Sequence, residues 1–236
     1  MEFDTTQVDW VFVIIATVIA LVVLSLIFVL KTLKFKKWQV RKLGHMFLHF
    51  YVAFIPYFFS NVFDVIIVLL LVVGSIGLLS LIPPIRFVQR IYEECTREGE
   101  EKWILVINSF STAFVVLIIF FVFHDRLYIF TSAILSVSLG DGMGEMIGRP
   151  FGRIKYKIFE ERSLEGSLCV LSGIFVSIII AFGFHSMLNA TGFWWKAVVV
   201  SIIGTIVEAC NYKFIDNTTL PFAVALTLFL LFELKL

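Results

Sequence analysis

Two acids one helical turn apart, Asp141 and Glu145, stand in a glycine-rich run and are followed by five basic residues, Arg149, Arg153, Lys155, Lys157 and Arg162. At i, i+4 the two carboxylates share one helix face. Like charges so placed repel, and near hydrocarbon they cost more. A cation, a proton or a basic partner must offset that cost. Magnesium bridging a polyphosphate suits such acids, because it takes one or two carboxylates together with phosphate oxygens. Salt bridges to Arg149 or Arg153 satisfy them equally well. Gly140, Gly144, Gly148 and Gly152 recur every four residues. They suit close helix packing and also let backbone N–H groups approach phosphate. No P-loop or dinucleotide-binding glycine pattern is present.

Other polar residues sit where apolar ones are expected. Arg41, His45 and His49 are successive i, i+4 positions, with Lys42 beside them. They read either as a basic cluster meeting headgroups or as part of a site. Glu208 interrupts an apolar run, and an acid there faces a bundle interior and is functional by default. Asp216 and Asn217 open the last apolar run, as a helix N-cap or as site residues. Cys95, Cys169 and Cys210 have no paired spacing and read as packing residues.

The elements that must position these residues are membrane spans. The chain has 236 residues, 60% hydrophobic and only 16% charged, so a polytopic all-α membrane bundle is expected, not a soluble domain. Eight apolar runs are long enough to cross: residues 10–30, 43–59, 62–82, 103–123, 127–147, 166–187, 194–211 and 220–234, the second and last being short. Residues 1–236 read as a single transmembrane domain. Residues 85–102 read as an amphipathic surface connector, and 139–167 as the active-site segment. The connectors after odd-numbered spans carry 16 of the 19 Lys and Arg residues. The positive-inside rule puts those connectors in the cytoplasm and both termini on the other side.

Four stretches occur in a telling order: RKLGH at 41–45, GDGMGEMIGRPFG at 140–152, RSLEGS at 162–167, and VEAC with DNTTLP at 207–210 and 216–221. From about Arg41 onward the chain resembles the polyprenol kinase family, which includes dolichol kinase, phytol kinase and the CTP-dependent diacylglycerol kinase of fungi. The resemblance implies phosphoryl transfer from a nucleoside triphosphate, usually CTP, to the hydroxyl of a membrane lipid alcohol, with Mg²⁺ as cofactor. It implies that Asp141, with Glu145 or Asp216, holds the metal. It gives the triphosphate to Arg149, Arg153, Lys155 and Arg162, helped by Arg41 and Lys42, with Gly148 and Gly152 allowing close approach. Ser163, Glu165 and Gly166 of the RSLEGS turn, Glu208 and Asn217 complete the site. Asp141, Glu208 and His45 are the candidate bases, and an acid is preferred because Arg41 and Lys42 crowd His45 with positive charge. Arg162 stands where lysine is common in the family, and Glu145 where aspartate or a small residue is common. The expected setting is a multi-pass protein of the endoplasmic reticulum or, in a prokaryote, the plasma membrane, with the site cytoplasmic and no nucleic-acid partner. A CDP-lipid synthase is the alternative enzyme, and an ion-coupled transporter the alternative from another class.

Overall fold

The computed structural model describes residues 8–81, 102–211 and 216–234. The chain divides after Ile118 into two compact units. In the first, α1 (Trp10–Thr32) is started by the Asp9 carboxylate, which accepts from the Phe12 amide at 3.3 Å. α2 (Lys37–Phe54) follows a tight connection in which Lys34 takes a left-handed φ of 63°. Tyr51 of α2 donates to the Ala16 carbonyl of α1 at 2.7 Å and ties the two together. A 3₁₀ turn at Ile55–Phe58 contains Pro56. The Asn61 side chain then accepts from the Phe63 amide at 3.0 Å and starts α3 (Val62–Leu81). α2 begins six residues earlier than the second apolar run. Lysine and arginine are good helix formers, and the Gln39 side chain accepts from the Lys36 amide at 3.0 Å. Arg41 and Lys42 are therefore helical rather than part of a loop. The amphipathic connector expected at 85–102 lies outside the described residues except for Lys102, which opens α4 (Lys102–Phe123).

The second unit is built on a rod spanning Leu127–Phe151. Its parts are α5 (Leu127–Leu135), a π-helical segment Ser136–Asp141 and α6 (Gly142–Phe151). The rod runs four residues past the expected end at 147. Pro150 sits in its last turn and removes only one amide from the ladder. A short antiparallel hairpin follows, β1 (Lys155–Lys157) with β2 (Glu161–Ser163), pairing Tyr156 with Arg162. Among the described residues this hairpin interrupts a chain otherwise helical, as expected for an all-α bundle, and it is where the basic stretch after the rod folds. α7 (Leu164–Phe184), α8 (Phe193–Ala209) and α9 (Asp216–Phe232) complete the unit.

Among the described residues, eight helical rods accommodate the eight expected crossings. Four of them are long and apolar enough to cross a membrane by length and composition: Trp10–Thr32, Val106–Phe123, Leu127–Phe151 and Leu164–Phe184. Between such helices lipid competes equally with apolar side chains, so close contact rather than water exclusion holds the bundle. Glycine supplies that contact. A Cβ on Gly173 of α7 would come 2.5 Å from the Leu139 carbonyl oxygen, and one on Gly140 would come 2.9 Å from Ile174. One on Gly144 would meet Val170 at 2.5 Å. The π-segment and α7 thus lie backbone to backbone. At the far end of the unit, Phe182, Phe193 and Phe232 stack, with centroids 4.7 to 6.3 Å apart. There Glu233 receives the Tyr128 hydroxyl and pairs with Arg126 at 2.9 Å.

Gly173→Ala should lower the thermal unfolding midpoint in detergent, by a cost of about 1–3 kcal/mol for overpacking. Gly183→Ala, where an added Cβ meets only Leu188 at 3.8 Å, should leave it unchanged or raise it slightly. Equal behaviour of the two variants counts against backbone contact as the organising feature. Acid should also weaken the far end. Burial holds His185 below its usual 6.5, and the Tyr128 hydrogen bond, with Arg126, holds Glu233 below 4.5. Both groups bind protons more readily when unfolded. The His185 contribution is complete above pH 6.5 and is lost as the pH falls toward its folded value. The Glu233 contribution is present above 4.5 and is lost as the pH falls through its lower folded value. Unfolding midpoints from pH 8 to 4 should fall in these two windows, and His185→Gln should flatten the first.

Candidate active site

The glycine contacts also fix depth. Gly140 and Gly204 both close on Ile174, and Gly204 also meets Val224, so α5–α6, α7, α8 and α9 share one layer there. Asp141 belongs to this layer. Gly144 and Val170 mark the next layer toward the hairpin, and four residues on from Gly140 and Gly204 come Glu145's neighbourhood and Glu208. The three acids therefore fall within about one helical turn of depth. Asp141 lies ten residues before the end of its rod, about 15 Å inside it at the helical rise. This is deeper than the helix-end position expected from the sequence, because the rod continues to Phe151. Asp141 is 8% exposed and Glu208 only 3%.

Two of the three acids have basic chemistry within reach. Arg149 lies 3.7 Å from Glu145, one turn along α6. Arg162 reaches from β2 to Glu208 and forms an ion pair with it. The hairpin makes this possible. Tyr156 and Arg162 face each other across the strands, and the Tyr156 hydroxyl meets Ser167 at 2.5 Å. Arg162 is thereby turned inward, while Lys155 and Lys157 are exposed. The Nε atom of Arg162 is buried and makes no hydrogen bond. A guanidinium with one side on a carboxylate and a donor to spare is suited to a phosphate oxygen.

The RSLEGS turn is structural as well as chemical. Ser163 caps α7 by accepting from the Gly166 amide at 3.1 Å and donates to the Gly148 carbonyl at 3.3 Å. A Cβ on Gly148 would come 2.9 Å from the Gly166 Cα. One on Gly152 would collide with the Ser163 side chain and the Gly148 carbonyl. Gly148, Gly152 and Gly166 thus let α6, the hairpin and α7 close on one another. Glu165 makes no capping box. Its two carboxylate oxygens accept from the Ile154 amide at 3.3 Å and hold the hairpin down.

The remaining expected residues divide by position. Arg41, Lys42 and His45 lie on α2 in the first unit, with Lys42 buried, and the His45 and His49 rings are 4.0 Å apart. Arg153 is exposed just before β1. Asp216 and Asn217 begin α9, and the side chain of Asp216 lies outside the described residues. Sequence reasoning missed Asn211. It is buried after α8, its amide bonds the Glu208 carbonyl at 3.1 Å, and its side chain accepts from Thr219 at 2.6 Å. A polar residue three positions after an acid in an apolar run was the only signal for it.

Among the described residues, no three His, Cys, Asp or Glu side chains group closely enough to hold a metal by themselves. Asp141 and Glu145 offer two carboxylates, the number magnesium takes when phosphate and water supply its other ligands. These two carboxylates fit a magnesium ion that phosphate oxygens and water also ligate.

No family model and no solved structure matches the chain. Curated proteins do. A probable chloroplastic phytol kinase of Triticum aestivum is 28% identical over 151 residues, covering 61% of this chain and 50% of that protein. One from Oryza sativa subsp. japonica is 28% identical over 61% of this chain and 48% of its own length. Probable phytol kinase 2 of Glycine max is 30% identical over 42% of this chain and 38% of its own. The chain spans about half the length of the curated relatives it matches. This similarity, in a chain that carries the four motifs in order, supports membership of the polyprenol/phytol kinase family.

Proposed function

We propose that the chain is a lipid alcohol kinase, transferring the γ-phosphoryl group of CTP to the hydroxyl of a prenol-type alcohol. The observation that carries this reading is the pairing of buried Glu208 with Arg162 at the depth of Asp141 and Glu145, directly behind a basic hairpin. The likeness to probable phytol kinases supports the prenol as acceptor. The Lys and Arg bias supports a cytoplasmic position for the hairpin end, where a water-soluble nucleotide meets a hydroxyl at headgroup depth.

In this mechanism the triphosphate lies against Arg149, Arg153 and Arg162, with Arg162 using its spare Nε donor. Asp141 and Glu145 would hold Mg²⁺, and a bound Mg²⁺ would supply charge neutralisation to the triphosphate. The alcohol oxygen forms a bond to the γ-phosphorus as the bond to the β-phosphate oxygen breaks, and CDP leaves. Glu208 takes the hydroxyl proton. Positioning and neutralisation do most of the work in such a transfer.

Purified full chain with Mg²⁺, γ-labelled CTP and phytol should yield labelled phytyl phosphate and CDP. Pyrophosphate and a CDP-lipid would instead indicate a cytidylyltransferase and overturn the kinase reading. Asp141→Asn should cut turnover at least about 100-fold, the scale of losing one preorganised charge-stabilising group, while the protein stays folded. Asp125→Asn, exposed at the opposite end of the unit, should retain full activity. Wild-type turnover in Asp141→Asn sinks the metal assignment.

The ion pair gives a separate test. Arg162→Ala leaves Glu208 buried without its arginine and should cost about 3 kcal/mol of stability. Arg162→Ala with Glu208→Gln should recover most of that stability and none of the activity. If the single and double variants unfold at the same temperature, the pair does not carry the energy assigned to it.

A further inference from the structure

The exposed apolar surface of the second unit does not stop where its spans stop. Phe151 closes the rod Leu127–Phe151, and Leu164 opens the next span, Leu164–Phe184. Between them Ile154, Ile158 and Phe159 are 61%, 52% and 58% exposed. Arg153, Lys155 and Lys157 are also exposed and alternate with them along the chain. Ile158, Phe159 and Glu160 form the tip of the hairpin, beyond the Lys157–Glu161 pair. A hairpin serving only a soluble nucleotide needs the cations but has no use for a bare isoleucine and phenylalanine at its tip.

The hairpin is also tied down. The Leu164 amide donates to the Ile154 carbonyl at 2.9 Å. The Ile154 amide reaches Glu165, and Tyr156 reaches Ser167, both in the first turn of α7. Three-residue strands extend about 10 Å, and the headgroup layer beyond the hydrocarbon is about 5–7 Å deep on each side. An element this short, fastened at its base to the span termini, remains within reach of the headgroup layer. Mixed apolar and basic side chains are what that layer accommodates: rings and aliphatic groups at the acyl boundary, with lysine and arginine reaching up to phosphate.

We propose that the hairpin at residues 152–163 docks on the anionic headgroup layer of its own bilayer, with Ile158 and Phe159 inserted and Lys155 and Lys157 on lipid phosphates. Docking holds whether or not the chain transfers phosphate. It separates the cations by role: Arg162 faces inward to Glu208, while Lys155 and Lys157 face lipid.

The test uses the full chain in nanodiscs of phosphatidylcholine alone or mixed with phosphatidylglycerol. Phe159→Cys carries an environment-sensitive fluorophore on a background of Cys95→Ala, Cys169→Ala and Cys210→Ala. Ile158→Cys serves as a second reporter should the first disturb folding. The expected result is blue-shifted emission quenched by headgroup-level spin-labelled lipid, with stronger quenching when phosphatidylglycerol is present. Lys155→Gln with Lys157→Gln should abolish that increment. Water-like emission, quenched by iodide in both lipids, overturns the proposal. So does quenching that ignores lipid charge, or a blue shift that appears only on adding CTP, which would assign this face to the nucleotide.

Discussion

A carboxylate inside an apolar bundle has to be compensated, and the second unit is arranged around that need. Glu208 is almost wholly enclosed and is matched by an arginine 46 residues away in sequence. To deliver that arginine the chain folds a hairpin, aligns Tyr156 beside Arg162, and pins the assembly to the start of α7. A buried pair of this kind is weak evidence for stability, since removing both charges is often harmless. In the proposed reaction the two groups take separate parts, Arg162 with phosphate and Glu208 with the acceptor hydroxyl.

The glycines belong to the same design. A π-segment ending at Asp141 rotates the helix relative to a regular ladder, and such segments are frequent at functional sites. Ser132 and Ser136 donate back to the carbonyls of Tyr128 and Ala133 at 2.7 and 2.6 Å, an arrangement that bends helices. The irregular backbone is tolerated because Gly173 lets α7 press against Leu139 and Gly140. Here glycine acts by admitting backbone to backbone. Phosphate approach and tight packing, two separate explanations of the same row in sequence, both depend on the absence of side chains, and at Gly148 and Gly152 the packing partners are identifiable.

The eight helical rods, the acid pair, the basic segment and Glu208 were all legible in the sequence, because charges in apolar runs are conspicuous. What was illegible depended on contacts. The hairpin has three-residue strands with no strong turn dipeptide, and its pairing is set by attachments to Glu165 and Ser167. The helical continuation through Pro150 moved Asp141 inward, since a proline in the last turn does not stop a helix as one in the middle does. Asn211 needed Thr219 from another helix to become noticeable. The lead of α2 over its apolar run came from charged residues that form helix without being hydrophobic.

The clasp at the far end bears on how the protein is made. Tyr128 and Glu233 are 105 residues apart, and the aromatic stack beside them needs Phe182, Phe193 and Phe232 together. During synthesis the rod holding Asp141 enters the membrane long before α9 exists to close the layer at Ile174 and Val224. A chain halted within α8 would leave the tyrosine hydroxyl without its acceptor and the acidic layer open to lipid. The second unit is thus a poor candidate for stepwise folding, and its maturation is tied to delivery of α9.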